Sequence, residues 1–259
     1  MSAAIPVAPS QRLDGRHALV TGAGRGIGRA CALALVQAGA SVTLAARTAP
    51  ELDAVVAEAE SLGGRAYACE TDVTSADDVE RAVAAACEHG DLTIAVSAAG
   101  INRPGPTVDL ELEDWDLVID TNLRGTFLVC RAVGAHLLER GRGGRIIAIS
   151  SQMGEVGYPG RAAYCASKHA VNGLTKALAV EWAPANITVN AVAPTFIRTP
   201  LTAPMLEDPD FRAEVLRRIP AGRIGEVEDV IGAVAFLASD AAALVTGHVL
   251  TVDGGWTAW

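Results

Sequence analysis

Short, wholly apolar runs alternate along the chain with longer stretches whose apolar positions recur every three or four residues. The short runs predict strands over 17–21, 41–45, 65–69, 92–97, 145–150, 187–192 and 249–252. The longer periodicity predicts helices over 27–38, 50–62, 75–88, 111–139, 161–182 and 227–238, the fourth kinked near Gly125. The stretch after Pro194, carrying Pro200, Pro204 and Pro209, reads as a loop. Strands apolar at every position are covered on both faces, and strands separated by helices pair in parallel. The pattern therefore predicts an α/β fold: one doubly wound parallel sheet with helices on both sides. No repeat or linker interrupts it, so residues 13–259 read as one domain behind a flexible extension, 1–12.

Composition narrows the setting. Half of the 259 residues are hydrophobic and a fifth are charged, the balance of a globular chain with a substantial core. A net charge of −9 argues against nucleic acid or an anionic membrane as partner. No apolar run approaches the roughly 20 residues of a membrane span. The first dozen residues lack the charged and apolar regions of a signal peptide. Five scattered cysteines without C-x-x-C spacing read as small buried hydrophobes in a reducing compartment, with neither disulfide nor metal framework. The cytoplasm is the expected location.

Candidate chemistry concentrates in two places. Tyr164 and Lys168 stand four apart near the start of the predicted helix 161–182, so they share one helix face. The chain holds only three tyrosines and two lysines, which makes the pairing informative. An ammonium beside a phenol favours phenolate, and the expectation is a Tyr164 pKa lowered from about 10. Such a tyrosine serves as general acid and base. The second place is Thr21-Gly22-Ala23-Gly24-Arg25-Gly26-Ile27-Gly28, between the first strand and the first helix. A dinucleotide pyrophosphate needs bare backbone and a helix N-terminus at that point.

With these two motifs the chain resembles the short-chain dehydrogenase/reductase family. The glycine motif, Asp72-Val73, Ala98-Ala99-Gly100, Asn122, Ser151, Tyr164 with Lys168, Asn190 with Pro194, and Asp253-Gly254-Gly255 follow in family order from about residue 13 onward. The resemblance implies a Rossmann-type oxidoreductase that moves hydride between a nicotinamide and an alcohol/carbonyl pair on a small molecule. It makes Tyr164 the general acid/base. Lys168 lowers its pKa and holds the ribose, Ser151 polarises the carbonyl, and Asn122 anchors a water that relays protons through Lys168. Cofactor contacts are then expected from Gly22, Gly24, Arg25, Gly26, Ile27, Gly28, Arg47, Asp72, Val73, Ala98, Ala99, Gly100, Tyr164, Lys168, Pro194, Thr195, Ile197 and Thr199. Cys165 reads as a packing residue, and His169 as a surface or packing residue.

Two positions depart from the family pattern. Ala98 stands where a second asparagine is usual, which removes a structural hydrogen bond from that corner. Thr195 replaces a common glycine after Pro194 and narrows the substrate mouth. The second strand ends in Ala45-Ala46-Arg47-Thr48, with a guanidinium and no carboxylate. That favours NADP(H), whose 2′-phosphate pairs with Arg47 and with Arg25, over NAD(H).

The substrate pocket is expected from residues 101–106, 152–159 and a lid over about 195–211, with Gln152, Met153, Glu155 and Tyr158 facing the substrate. Gln152 and Glu155 suit a hydroxylated substrate, as in the family's sugar, polyol and gluconate dehydrogenases. A 3-oxoacyl-thioester reductase served by Arg103, Arg124 and Arg131 is the alternative, and a non-catalytic dinucleotide sensor a further one. The helices over 111–139 and 161–182 correspond to the family's dimer face. The tail Trp256-Thr257-Ala258-Trp259 is expected to expose two tryptophans to a neighbouring subunit of a homotetramer.

Overall fold

Alternation along each strand divides the core into two layers. In β1 (His17–Thr21), Ala18 and Val20 face one layer and Leu19 the other. In β4 (Leu92–Ser97), Ile94 and Val96 join the first layer and Ala95 the second. A strand that feeds both layers is apolar throughout, which is the pattern seen in the sequence. The remaining strands are β2 (Ser41–Ala46), β3 (Ala66–Glu70), β5 (Gly144–Ile149), β6 (Ile187–Pro194) and β7 (Val249–Val252). The computed structural model describes residues 7–258. Residues 1–6 of the expected extension, and Trp259 of the expected tail, lie outside the described residues.

The helices are α1 (Gly26–Gln37), α2 (Ala49–Ser61), α3 (Ala76–His89), α4 (Leu112–Ile119), α5 (Gly125–Arg140), α6 (Ala162–Trp182), α7 (Ala203–Leu206), α8 (Pro209–Arg217) and α9 (Val227–Ala238). Leu35 of α1, Leu52 of α2 and Leu237 of α9 seal one face of the sheet. Val79 of α3, Val133 of α5 and Trp182 of α6 seal the other. α5 and α6 approach so closely that a Cβ at Gly134 would collide with the Trp182 ring. All strand pairs are parallel, in the order β3-β2-β1-β4-β5-β6-β7. The order reverses between β1 and β4, and a doubly wound sheet opens a ligand crevice outside the strand ends at that switch.

Three expectations change. The stretch after Pro194 is not all loop, because it contains α7 and α8. Asp208 caps α8 by accepting from the Asp210 and Phe211 amides, and Pro209 occupies the first turn, where its missing N–H costs nothing. The helix predicted over 111–139 is interrupted by a π turn at Asp120–Arg124, just before Gly125. Trp256 is buried rather than exposed: it packs 5.8 Å from Phe196 and 5.9 Å from Tyr158, ring to ring. Among the described residues no helix is long and apolar enough to cross a membrane.

Candidate active site

Glycines create the floor of the crevice. Gly22 and Gly26 adopt φ of +65° and +57°, where a side chain is strained. A Cβ on Gly22 would also lie 2.8 Å from the Ala99 amide nitrogen, and one on Gly28 would collide with the Gly22 carbonyl. The loop after β1 therefore touches the loop after β4 and leads directly into the N-terminus of α1. Thr21 ties this corner: its hydroxyl accepts from the Ala98 and Ala99 amides at 3.2 and 3.5 Å. Every residue expected to touch a dinucleotide, from Gly22 to Thr199, lines this cleft.

Tyr164 and Lys168 sit one turn apart near the start of α6, and they face the same cleft. The Lys168 Nζ donates to the Ile149 carbonyl at 2.7 Å and lies 5.6 Å from the centre of the Tyr164 ring. Burial drops the Lys168 pKa to about 8. Burial also pushes the Tyr164 phenol up; the Ser151 hydrogen bond opposes this, Cys165 adds to it and Arg161 opposes it. The expected lowering by Lys168 is thus corrected. The ammonium is turned toward Ile149, and desolvation of a phenolate outweighs the opposing partners.

Asn122 lies in the π turn and is fully buried. Its Oδ1 accepts from the Ile101 amide at 2.8 Å, while Nδ2 donates to the Ile101 carbonyl and the Ser167 hydroxyl at 2.9 and 3.1 Å. Both amide hydrogens are engaged, so the side chain clamps the chain just past Gly100 to α6. Asn122 does not line the cleft; it holds the residues that do.

Ser151 lines the cleft, donates to Gln152 Oε1 at 2.9 Å and accepts from the Met153 amide at 3.1 Å. Of the four expected substrate residues, none reaches the cleft wall. Gln152 is buried behind Ser151, its Nε2 without a partner. Glu155 is exposed at the surface. Met153 and Tyr158 pack with Phe196, Leu206 and Trp256 in an apolar cluster beneath α7 and α8. Tyr158 also donates to Glu214 of α8, whose carboxylate pairs with Arg218 at 2.6 Å. These contacts fasten the lid segment to the body. Cys165 packs in the same cluster, and His169 is exposed, donating to the Cys165 carbonyl at 2.9 Å if its proton is on Nδ1.

At the other end of the cleft, Arg47 is exposed and has no ion-pair partner among the described residues. Arg25 lies 3.6 Å from Glu51, a first-turn residue of α2 that sequence reasoning missed. Glu51 also approaches Gly24, where a Cβ would lie 2.8 Å from its carboxylate. Toward the catalytic end, the buried Thr195 hydroxyl has no hydrogen-bond partner. An unpaired hydroxyl, an unpaired guanidinium and a floor free of side chains together fit a phosphorylated dinucleotide.

The family model described as enoyl-(acyl carrier protein) reductase matches residues 22–257. Gluconate 5-dehydrogenase of Gluconobacter oxydans is 41% identical over 246 residues, covering 95% of this chain and 96% of its own. The chain belongs to the short-chain dehydrogenase/reductase family. Another member, the 3-oxoacyl-[acyl-carrier-protein] reductase FabG of Thermotoga maritima, is 42% identical, covering 94% of this chain and 98% of its own. Among solved members, a gluconate 5-dehydrogenase from Burkholderia cenocepacia in complex with NADP and tartrate superposes with a TM-score of 0.92 at 38% identity, covering 96% of this chain and 98% of that one. Family membership makes the protein an oxidoreductase acting on alcohol and ketone groups with a nicotinamide dinucleotide.

Proposed function

We propose that the protein interconverts a secondary alcohol and a ketone on a sugar, polyol or sugar acid, with NADP(H) as cofactor. The observation that carries this reading is the convergence of Ser151, Tyr164 and Lys168 on the cleft whose floor is the glycine loop. When bound, the oxidised dinucleotide supplies the hydride acceptor and brings a positive ring charge into the cleft. Tyr164 takes the proton from the substrate hydroxyl in oxidation and returns it in reduction. Ser151 donates to the substrate oxygen, which requires its hydrogen to leave Gln152. Lys168 holds the ribose with ammonium hydrogens not engaged by Ile149. Asn122 acts by fixing Ile101 and Gly100. Arg47 supports NADP(H), because a free guanidinium pairs with a 2′-phosphate that an acidic residue would repel. The glycine loop, the catalytic residues and the lid work as one catalytic domain over 13–259.

The relatives named for gluconate, and the member that holds tartrate with NADP, support a hydroxylated and acidic substrate. The 3-oxoacyl reductase reading draws support from the Thermotoga relative. Its basic patch is weakened here. Arg103 pairs with Asp114 at 2.9 Å, Arg131 with Glu80 at 3.3 Å, and Arg124 donates to the Thr74 carbonyl. NADPH oxidation measured with keto-sugars and keto-acids beside acetoacetyl thioester decides between the two. Turnover of the thioester alone overturns the sugar reading. Tight NADPH binding with no carbonyl turned over points to a sensor.

A homotetramer is supported by apolar side chains left exposed on the helices of the expected dimer face, among them Leu112, Trp115, Phe127 and Val180. Light scattering that finds a monodisperse monomer contradicts it. Five free cysteines support a reducing, cytoplasmic setting.

A further inference from the structure

Arg161 immediately precedes α6, three residues before Tyr164, and is more than nine-tenths buried. No carboxylate stands within ion-pair distance of it among the described residues. Among the described residues the only other guanidinium as deeply buried, Arg145, has Asp240 at 3.6 Å. Arg161 instead donates to the Gly160 carbonyl at 3.1 Å and to the Met205 thioether at 3.2 Å, and its Nε has no acceptor at all. Its charge also stands over the Tyr158 ring at 5.9 Å. A buried cation with a neutral carbonyl and a weak sulfur acceptor is poorly compensated, and natural interiors rarely tolerate that without a purpose.

Its position gives the purpose. Arg161 lies less than one helical turn before Tyr164 at the start of α6. Arg161 does not itself line the cleft; Met205, which covers it, belongs to α7 in the lid segment whose Pro200, Leu201 and Thr202 line the same cleft as Tyr164. A flexible thioether is easily displaced. An incoming carboxylate offers two oxygens to the guanidinium fork and meets no competing acidic side chain.

We propose that Arg161 is the carboxylate-recognition residue of the substrate site, and that the substrate is a hydroxy acid rather than a neutral polyol or a thioester. The inference rests on the alcohol/ketone reading above and adds the residue that holds the acid group of the substrate. Binding places the substrate carboxylate where Met205 now caps the guanidinium, with the reacting hydroxyl at Tyr164.

The test compares kcat/KM for a sugar acid, gluconate, with that for its neutral counterpart, sorbitol, with saturating NADP+. Both are measured on wild type, Arg161→Gln and Arg161→Lys. Because each ratio is taken on one preparation, partial loss of folded enzyme cancels. The expected result is a wild-type ratio well above one that falls at least tenfold in Arg161→Gln through a raised KM for the acid, with Arg161→Lys between them. A ratio unchanged in Arg161→Gln overturns the carboxylate role and leaves the alcohol/ketone reading standing. Turnover of acetoacetyl thioester, with neither gluconate nor sorbitol oxidised, overturns both. If Arg161→Gln proves insoluble, competitive inhibition of wild type by tartrate but not by the uncharged tetritol supports the role. Equal inhibition by the two overturns it.

Discussion

His17 opens β1 with no exposed surface, and its imidazole is hydrogen-bonded to the Ser41 and Thr43 hydroxyls at 2.7 and 2.8 Å. Tyr67 and His89, stacked on one another at 3.7 Å, lie beside it. Burial, aided by the His89 charge, drops its pKa from the ordinary 6.5 to about 4. The folded protein therefore binds fewer protons here than the unfolded chain between pH 6.5 and 4. Stability from this site is fully present above 6.5 and is lost as pH falls toward 4. The pKa difference makes the site's loss about 2–3 kcal/mol between pH 7.5 and 4.5. In a chain this long that is roughly 5–10 °C of melting temperature. The assay is urea unfolding followed by circular dichroism at several pH values, on wild type and His17→Gln. The variant is less stable at pH 7.5, because the packing and hydroxyl contacts are imperfectly replaced. The gap between the two curves should narrow by about 2–3 kcal/mol on going to pH 4.5. Curves that fall in parallel would refute the buried neutral histidine.

The cleft yields further expectations. Arg47→Ala should raise the Kd for NADPH about tenfold or more while leaving NADH nearly unchanged, as isothermal titration would read, because a charge-assisted pair is worth about 1.5–3 kcal/mol. Glu51→Gln should act in the opposite direction, tightening NADPH by a small factor, since it frees Arg25 from an exposed pair worth at most about 1 kcal/mol. Gly28→Ala should abolish nucleotide binding with the circular dichroism spectrum retained, because the added Cβ collides with the Gly22 carbonyl that shapes the loop. Normal NADPH affinity in that variant would show that the cradle is laid elsewhere.

Much of this architecture was legible in the residues, and the exceptions have physical causes. Strand β4 ends where the apolar pattern ends, because burial at every position leaves little freedom in its bounds; β7 and α9 keep the bounds of their apolar patterns as well. α8 was hidden by its prolines, yet Asp208-Pro209 is a cap followed by a first-turn proline and was readable as a helix start. The π turn carries no composition of its own; it shows in the backbone, where the Gly125 amide donates to the Asp120 carbonyl. The cleft residues were found because glycine loops and the Tyr164/Lys168 spacing are local patterns. Glu51 and Arg161 were missed because their meaning lies in what stands opposite them, an arginine in one case and no carboxylate in the other. Tyr158 and Met153 sit in the expected stretch, but their side chains turn to the lid cluster, an orientation no spacing rule conveys. The Tyr164 pKa failed for a related reason. Helix spacing predicts a neighbouring charge, whereas burial, the larger influence, depends on the whole fold.

The central claim is that Tyr164 carries the proton in a reaction whose cofactor is bound by the rest of the cleft. Removing only the phenolic hydroxyl in Tyr164→Phe tests it most directly, with kcat for ketone reduction and Kd for NADPH measured on the same preparation. The expected result is a fall in kcat of about 100-fold or more, with NADPH affinity within about twofold of wild type. A Phe variant that retains wild-type kcat would contradict the account.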